Sequence, residues 1–125
     1  MRYAIGLLTL GLIGVAAVVG TSAWLPTAAA AQQTQVVEIA AERFSFTPSE
    51  IRVKAGTRLE IRLRSDDTAH GFHIVGTDID FELPKRGRGV ATVTFQPTAG
   101  RHTFECSQLC GAGHSFMRGV IIATE

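Results

Sequence analysis

Three things are scarce in this chain. No charged residue occurs between Ala4 and Leu25, no tryptophan or tyrosine follows Trp24, and no run of more than two adjacent like charges occurs anywhere. The lack of a basic run and of a mixed aromatic platform excludes a nucleic-acid surface. Twelve basic and eleven acidic side chains nearly cancel, so steering by net charge is expected to be weak. After the leader there is also no long stretch with a helical period and no internal repeat, which excludes helical bundles and solenoids.

The uncharged stretch is a targeting segment. At about 1.5 Å per residue it is just long enough to cross a bilayer as a helix. Arg2 precedes it, Pro26 breaks it, and "TAAAAQQ" follows, with Ala29 and Ala31 at small-x-small spacing for cleavage. Trp24 suits an interfacial anchor equally well. A cleaved signal and a retained anchor give the same topology, because Arg2 is the only basic residue before Arg43. The expected organisation is a signal peptide or N-terminal membrane anchor over 1–31, a linker and first strand over 32–41, and one domain over 42–125. That domain is expected to be exported, in the periplasm or on the outer face of the cytoplasmic membrane.

What remains alternates with a period of two. In "TRLEIRLR", Leu59, Ile61 and Leu63 face one way and the charged residues the other. The same period runs through "RFSF", "EIRV", "VATVTF" and "RHTFEC", and "GFHIV" and "GVIIA" are further apolar runs. "TPSE", "KAGT", "RGRG" and "PTAG" punctuate them as turns. Short strands at near-regular spacing predict an all-β sandwich or barrel. Only "GHSFM" has room for a turn of helix.

That turn falls in "CSQLCGAGHSFM", which holds both cysteines, His114 and Met117. Cys106 ends a strand and Cys110 follows at C-x-x-x-C spacing. Gly111 and Gly113 permit a sharp bend, and one helical turn puts His114 and Met117 on the same side. "SDDTAHGFHIV" supplies a distant partner, for which His70 at the strand's edge is preferred over His73. His73 has a plain reading as a strand residue partly covered by the loop, and His102 as a surface or edge residue. A disulfide explains the cysteines but not His70, His114 or Met117. Structural zinc on His70, Cys106, Cys110 and His114 leaves Met117 idle. A Cys–His nucleophile lacks an oxyanion hole. Thiolate, imidazole and thioether together favour copper. A single blue copper on Cys110, His70, His114 and Met117 leaves Cys106 unused. Two thiolates bridging two coppers, with one histidine for each metal, use every donor. A backbone carbonyl then takes the second weak position.

"AHGFHIVGTDID" followed by "CSQLCGAGHSFM" resembles the dinuclear copper A domain of subunit II of haem–copper cytochrome c oxidases, most of all the ba3-type branch. The resemblance runs from about Phe44 to the C-terminus. It implies a cupredoxin Greek-key β-sandwich, preceded here by the hydrophobic segment. It also implies a metal-ligand set: Cys106 and Cys110 as bridging thiolates, His70 and His114 as terminal imidazoles, Met117 as the weak sulfur ligand and the carbonyl of Gln108 as the weak oxygen ligand. The implied function is a relay of single electrons from cytochrome c toward haem in subunit I, with no catalysis by this chain alone. Two departures stand out. Gln108 occupies a position where many members carry a magnesium-binding glutamate, and "ERFSFTP" offers Phe44 and Phe46 where many carry a tryptophan for cytochrome c docking. Docking is expected over the ligand loop instead, at Ser115 and Phe116. A free periplasmic carrier with the same centre is the alternative. A copper delivery or storage protein fits less well, since Met117 is the only methionine outside the leader.

Overall fold

A computed structural model describes residues 30–125 of the chain, so all but the last two residues of the expected signal or anchor lie outside the described residues. Among the described residues no helix is long and apolar enough to cross a membrane. Nine strands form among the described residues: β1 (Thr34–Glu42), β2 (Ser45–Thr47), β3 (Glu50–Lys54), β4 (Arg58–Ser65), β5 (His70–Ile74), β6 (Asp80–Leu83), β7 (Val90–Phe95), β8 (Gly100–Glu105) and β9 (Arg118–Thr124). The only helical element described is one 3-10 turn, His114–Phe116, inside the expected loop.

The strands make two sheets, ordered β2-β1-β4-β7 and β3-β9-β8-β5-β6. The alternation decides which side chains enter the space between them. Leu59, Ile61 and Leu63 of β4 are fully buried while Arg58, Arg62 and Arg64 point to solvent. Ile51 and Val53 of β3 and Phe104 of β8 follow the same rule. The all-β sandwich is therefore as expected, and β7 is the looser strand, with Ala91, Val93 and Phe95 only partly buried.

Three phenylalanines join the sheets. Phe46 of β2 meets Phe72 of β5 edge-on at 5.9 Å and Phe104 of β8 at 5.4 Å, and Phe72 lies 5.3 Å from Phe104. Each such pair contributes about 0.5–1.5 kcal/mol beyond its buried area. Phe46 is thus a core residue rather than part of a docking face.

Strand direction determines what gathers at one end of the sandwich. β1 and β4 run parallel, from Thr34 opposite Arg58 to Ala41 opposite Ser65, so the chain leaves both strands at the same end. β5 enters from there at His70, which pairs with Leu83 as β6 returns. β8 arrives antiparallel to β5, with His73 opposite Glu105, and delivers Cys106 to this end. β9 departs from it, Glu105 opposite Arg118. Four connections therefore converge: residues 43–44, 66–69, 84–89 and 106–117.

Gly119 marks how closely β8 and β9 sit beneath that end. A Cβ there would lie 2.3 Å from Phe104 Cζ and 2.6 Å from the Ser49 carbonyl oxygen, and the second contact is backbone that cannot swing aside. Gly119→Ala is expected to cost about 1–3 kcal/mol of stability by overpacking, measured by urea denaturation. An unchanged midpoint would show that Phe104 and the Ser49 backbone give way more easily than this packing implies.

Candidate metal centre

His70 opens β5 and is completely buried. A buried imidazole needs partners, and it has one at each nitrogen. Nε2 lies 2.7 Å from Asp67 Oδ1, and Nδ1 faces the Cys106 sulfur at 3.9 Å. Asp67 is fixed in turn by its own loop and by the β1–β2 corner. The Asp67 amide donates to Ser65 Oγ (3.2 Å), Ser65 Oγ donates to the Thr68 carbonyl, and the Arg43 amide donates to Asp67 Oδ2 (2.9 Å). Burial alone would raise the Asp67 pKa. The hydrogen bonds from His70 and from the Arg43 and Thr68 amides, with the attraction of the imidazole, outweigh it and hold the carboxyl below its ordinary value. A carboxylate behind the far nitrogen orients the imidazole, takes the Nε2 proton as its hydrogen bond, and leaves the Nδ1 lone pair facing the sulfur.

Cys106 and Cys110 are both free and buried, with sulfurs 3.7 Å apart. A disulfide requires about 2.05 Å, so the disulfide alternative does not describe this state. Cys106 Sγ is also 3.1 Å from the Gln108 carbonyl oxygen and 3.4 Å from the Gly71 amide. Cys110 Sγ lies 3.8 Å from His114 Nδ1 and 3.8 Å from Met117 Sδ. The single 3-10 turn achieves this by bringing both residues back over Cys110, and the Cys106 amide donates to the Met117 carbonyl to close the loop (3.0 Å). Burial, then the neighbouring Cys106 thiol, pushes the Cys110 thiol up to about 11. It is therefore protonated at neutral pH until something replaces the proton.

Every residue singled out in the sequence as a ligand thus comes to one place. They do not form a single four-donor cage. The His70, Cys106 and Cys110 donor atoms all lie within 4.8 Å of one another. His114 falls outside that group although it touches Cys110. The order in space is imidazole, thiol, thiol, imidazole, with the Gln108 carbonyl beside the first thiol and the Met117 thioether beside the second. His73 turns away and binds the Ile79 carbonyl at 3.0 Å, so His70 and not His73 faces the thiols. His102 is half-buried rather than at the surface. It contacts the Thr98 carbonyl at 2.8 Å and stands edge-on to Phe95.

Several supporting residues escaped the sequence reading. Gly71 is the first of them. A Cβ there would fall 2.2 Å from Ser107 Oγ and 2.5 Å from the Gln108 amide nitrogen, so only glycine lets the ligand loop lie on β5. Gly111 (φ +145°) and Gly113 do more than bend the chain: a Cβ at either would strike the Phe44 ring, at 2.8 Å and 2.3 Å. Phe44 therefore covers the loop. Arg43 beside it donates from Nε to the Cys110 carbonyl at 2.9 Å while its amide holds Asp67. One residue ties the His70 side of the centre to the Cys110 side, and no sequence signal marks it. Leu109 is 81% exposed, as is Phe116, and the two stand on the outer surface of the loop.

Residues 15–123 match the Cupredoxin-like domain family. The chain is 33% identical over 106 residues to cytochrome c oxidase subunit 2 of Thermus thermophilus. That match takes in 82% of this chain and 78% of the relative, or 62% of the subunit 2 from a second Thermus thermophilus source. Among solved structures, a heme-copper terminal oxidase dimer matches with a TM-score of 0.64 and 28% identity, over 75% of this chain and 66% of that one. The periplasmic domain of subunit II of cytochrome oxidase of Bradyrhizobium japonicum also matches with a TM-score of 0.64. At 17% identity over 72% of this chain and 83% of that one, it speaks for the fold.

Arg43→Ala removes the guanidinium bond to Cys110 and leaves the backbone bond to Asp67 in place. The expected loss is about 1 kcal/mol for a charge-assisted bond at a partly exposed site, read by denaturation of the metal-free protein. Arg43→Lys is expected to recover only part of it, since lysine lacks the planar fork. Equal stability of all three proteins would show that the bond holds nothing.

Proposed function

This chain belongs to the cupredoxin-like family and to the relatives of cytochrome c oxidase subunit 2, and from that membership we propose that it is a dinuclear copper relay passing single electrons into a haem–copper oxidase. Cys106 and Cys110 would bridge two coppers. His70 and His114 would end the centre on either side, and Met117 Sδ and the Gln108 carbonyl would be the weak ligands. The observation that carries this is the linear order of donors: two free, buried thiols 3.7 Å apart, each with its own imidazole at 3.8–3.9 Å. A tetrahedral zinc site or a single blue copper draws both imidazoles onto one ion. That leaves the separation of His114 from the His70–Cys106–Cys110 group unexplained.

The donor chemistry fits. Two thiols, two imidazoles and a thioether are a soft set that suits copper. Copper bound there would supply a one-electron couple. The protein's own task is to hold the donors still in both redox states. The Asp67 carboxylate fixes the His70 ring, the Arg43 guanidinium fixes the Cys110 backbone, and the Phe44 ring covers the loop that carries the buried sulfurs. Loading must displace the proton that burial keeps on Cys110. The donor is proposed to be cytochrome c or a similar protein and the acceptor subunit I of the oxidase. The domain would work outside the cytoplasmic membrane, as the similar periplasmic domain of subunit II from Bradyrhizobium japonicum does. A free periplasmic carrier would need the same centre, and co-purification with a subunit I separates the two readings.

Single substitutions test the ligand set. Cys106→Ser and Cys110→Ser are each expected to abolish the parent visible spectrum, and His70→Ala to lose or distort it. His73→Ala is expected to leave it unchanged. Met117→Leu is expected to retain copper and shift the potential, because a thioether tunes more than it holds. A parent spectrum in Cys106→Ser would contradict the bridging role.

Leu109 and Phe116 are the apolar part of the docking face. Replacing both by serine is expected to slow reduction by cytochrome c about tenfold or more, the effect of losing a central apolar contact, with the copper spectrum intact. Unchanged stopped-flow rates would place electron entry on another face.

A further inference from the structure

Near-neutral composition conceals an uneven distribution of charge. The β6–β7 connection, "PKRGRG", carries Lys85, Arg86 and Arg88, all exposed. None of the three is in an ion pair among the described residues. Topology brings this loop to the end of the sandwich that holds the candidate centre, since Leu83 pairs with His70. The Arg86 amide then donates to the Asp67 carbonyl at 3.0 Å, and the Asp67 carboxylate holds His70. The cations therefore belong to a loop tied through Asp67 to the first imidazole.

Two acids at this end are in ion pairs, Asp66 with Arg64 and Asp67 with His70. Glu105 lies opposite Arg118 in the strand register, but the Arg118 guanidinium donates to the Ser115 carbonyl instead. Asp80 accepts from Ser107 Oγ at 2.6 Å. Glu42 and Glu82 are exposed and offset part of the loop's charge. At the far end of the sandwich Lys54, Arg58 and Arg101 share the surface with Asp78 and Glu125. A local positive field is felt over about 8–10 Å at ordinary ionic strength, which spans a small redox interface.

We propose that the loop of Lys85, Arg86 and Arg88 and the apolar pair Leu109 and Phe116 form one docking face for a protein redox partner whose contact surface is acidic. This rests on the reading of the centre as an electron relay. The apolar pair supplies the contact, and the cations orient the partner's carboxylates as it approaches. The adjoining apolar contact over the thiols favours a protein over an anionic membrane surface, which would engage the cations alone.

Small redox probes of opposite charge test the face without knowing the partner. The copper-loaded protein, once reduced, is oxidised in stopped flow by anionic hexacyanoferrate(III) and by cationic tris(phenanthroline)cobalt(III). The first rate is expected to fall with added salt and the second to rise. In the variant Lys85→Glu/Arg86→Glu/Arg88→Glu, the hexacyanoferrate rate is expected to drop about tenfold at low ionic strength, the lower range of electrostatic steering, and the cobalt rate to increase. The Arg86 contact to Asp67 is made by backbone, so the copper spectrum serves as the control for an intact centre. Lys54→Glu/Arg101→Glu, at the far end, is expected to alter neither rate. Equal responses to the two probes would overturn the proposal.

A second measurement does not depend on copper. Nuclear magnetic resonance titration of the metal-free protein with poly-glutamate is expected to shift residues 84–89 together with Leu109 and Phe116. Shifts elsewhere, or none, would overturn the proposal even if the centre binds no redox-active metal. Retention on phosphatidylglycerol vesicles with unchanged probe rates would assign the loop to a membrane surface and overturn it likewise.

Discussion

A missing side chain at residue 71 allows the centre to exist. Without a Cβ there, the backbone of Ser107 and Gln108 settles directly on β5, and the Gly71 amide comes within 3.4 Å of the Cys106 sulfur. That close approach fixes the distance between a ligand on a strand and ligands on a loop more than thirty residues away. Everything else at this end is arranged around it. The 3-10 turn returns His114 and Met117 to Cys110, Phe44 lies over the two glycines of the loop, and Arg43 reaches to both halves. The parallel pairing of β1 with β4 matters for the same reason, since it places the Arg43 corner next to the Asp67 loop.

The arrangement has an energetic cost that the sandwich offsets. Two thiols, an imidazole and a carbonyl are buried where apolar side chains would otherwise pack, and each must find a partner or lose about 1–3 kcal/mol. His70 finds Asp67, and the sulfurs find each other and neighbouring backbone. Gln108 Oε1 is buried with no partner among the described residues. The three-phenylalanine contact between sheets lies below the ligand loop and supplies rigid packing where the polar groups cannot. Rigidity of this kind is what a relay requires, because a centre that keeps its geometry on gaining and losing an electron has little to reorganise.

Much of this was legible in the sequence, for identifiable reasons. A period of two survives in β4 because one face is wholly buried, so Leu59, Ile61 and Leu63 declare the sandwich. The candidate donors stood out because soft donor side chains are scarce and cluster in "CSQLCGAGHSFM", and because "AHGFH" offers a histidine at a strand edge. The choice of His70 over His73 followed from its place at that edge, and the contact of His73 with Ile79 agrees. What stayed hidden has no local period and no distinctive residue type. Arg43 acts through one side-chain nitrogen and its backbone amide, and both partners are distant in sequence. Leu109 reads as a core leucine until the loop is seen to turn it outward. Balanced totals of acid and base say nothing about which end of a sandwich the charges occupy, so the cationic loop emerged only from the pairing of Leu83 with His70. His102 shares the parity of Phe104, and its contact with the Thr98 carbonyl depends on a loop that sequence did not place.

The central claim is that two coppers share one electron across the pair of thiolates. Electron paramagnetic resonance of the copper-loaded protein, with metal content measured on the same sample, tests it most directly. The account predicts two coppers per chain and a hyperfine pattern from a single unpaired electron spread equally over both nuclei. One copper per chain, or coupling to a single nucleus, would contradict it and leave Cys106 without the role given to it here.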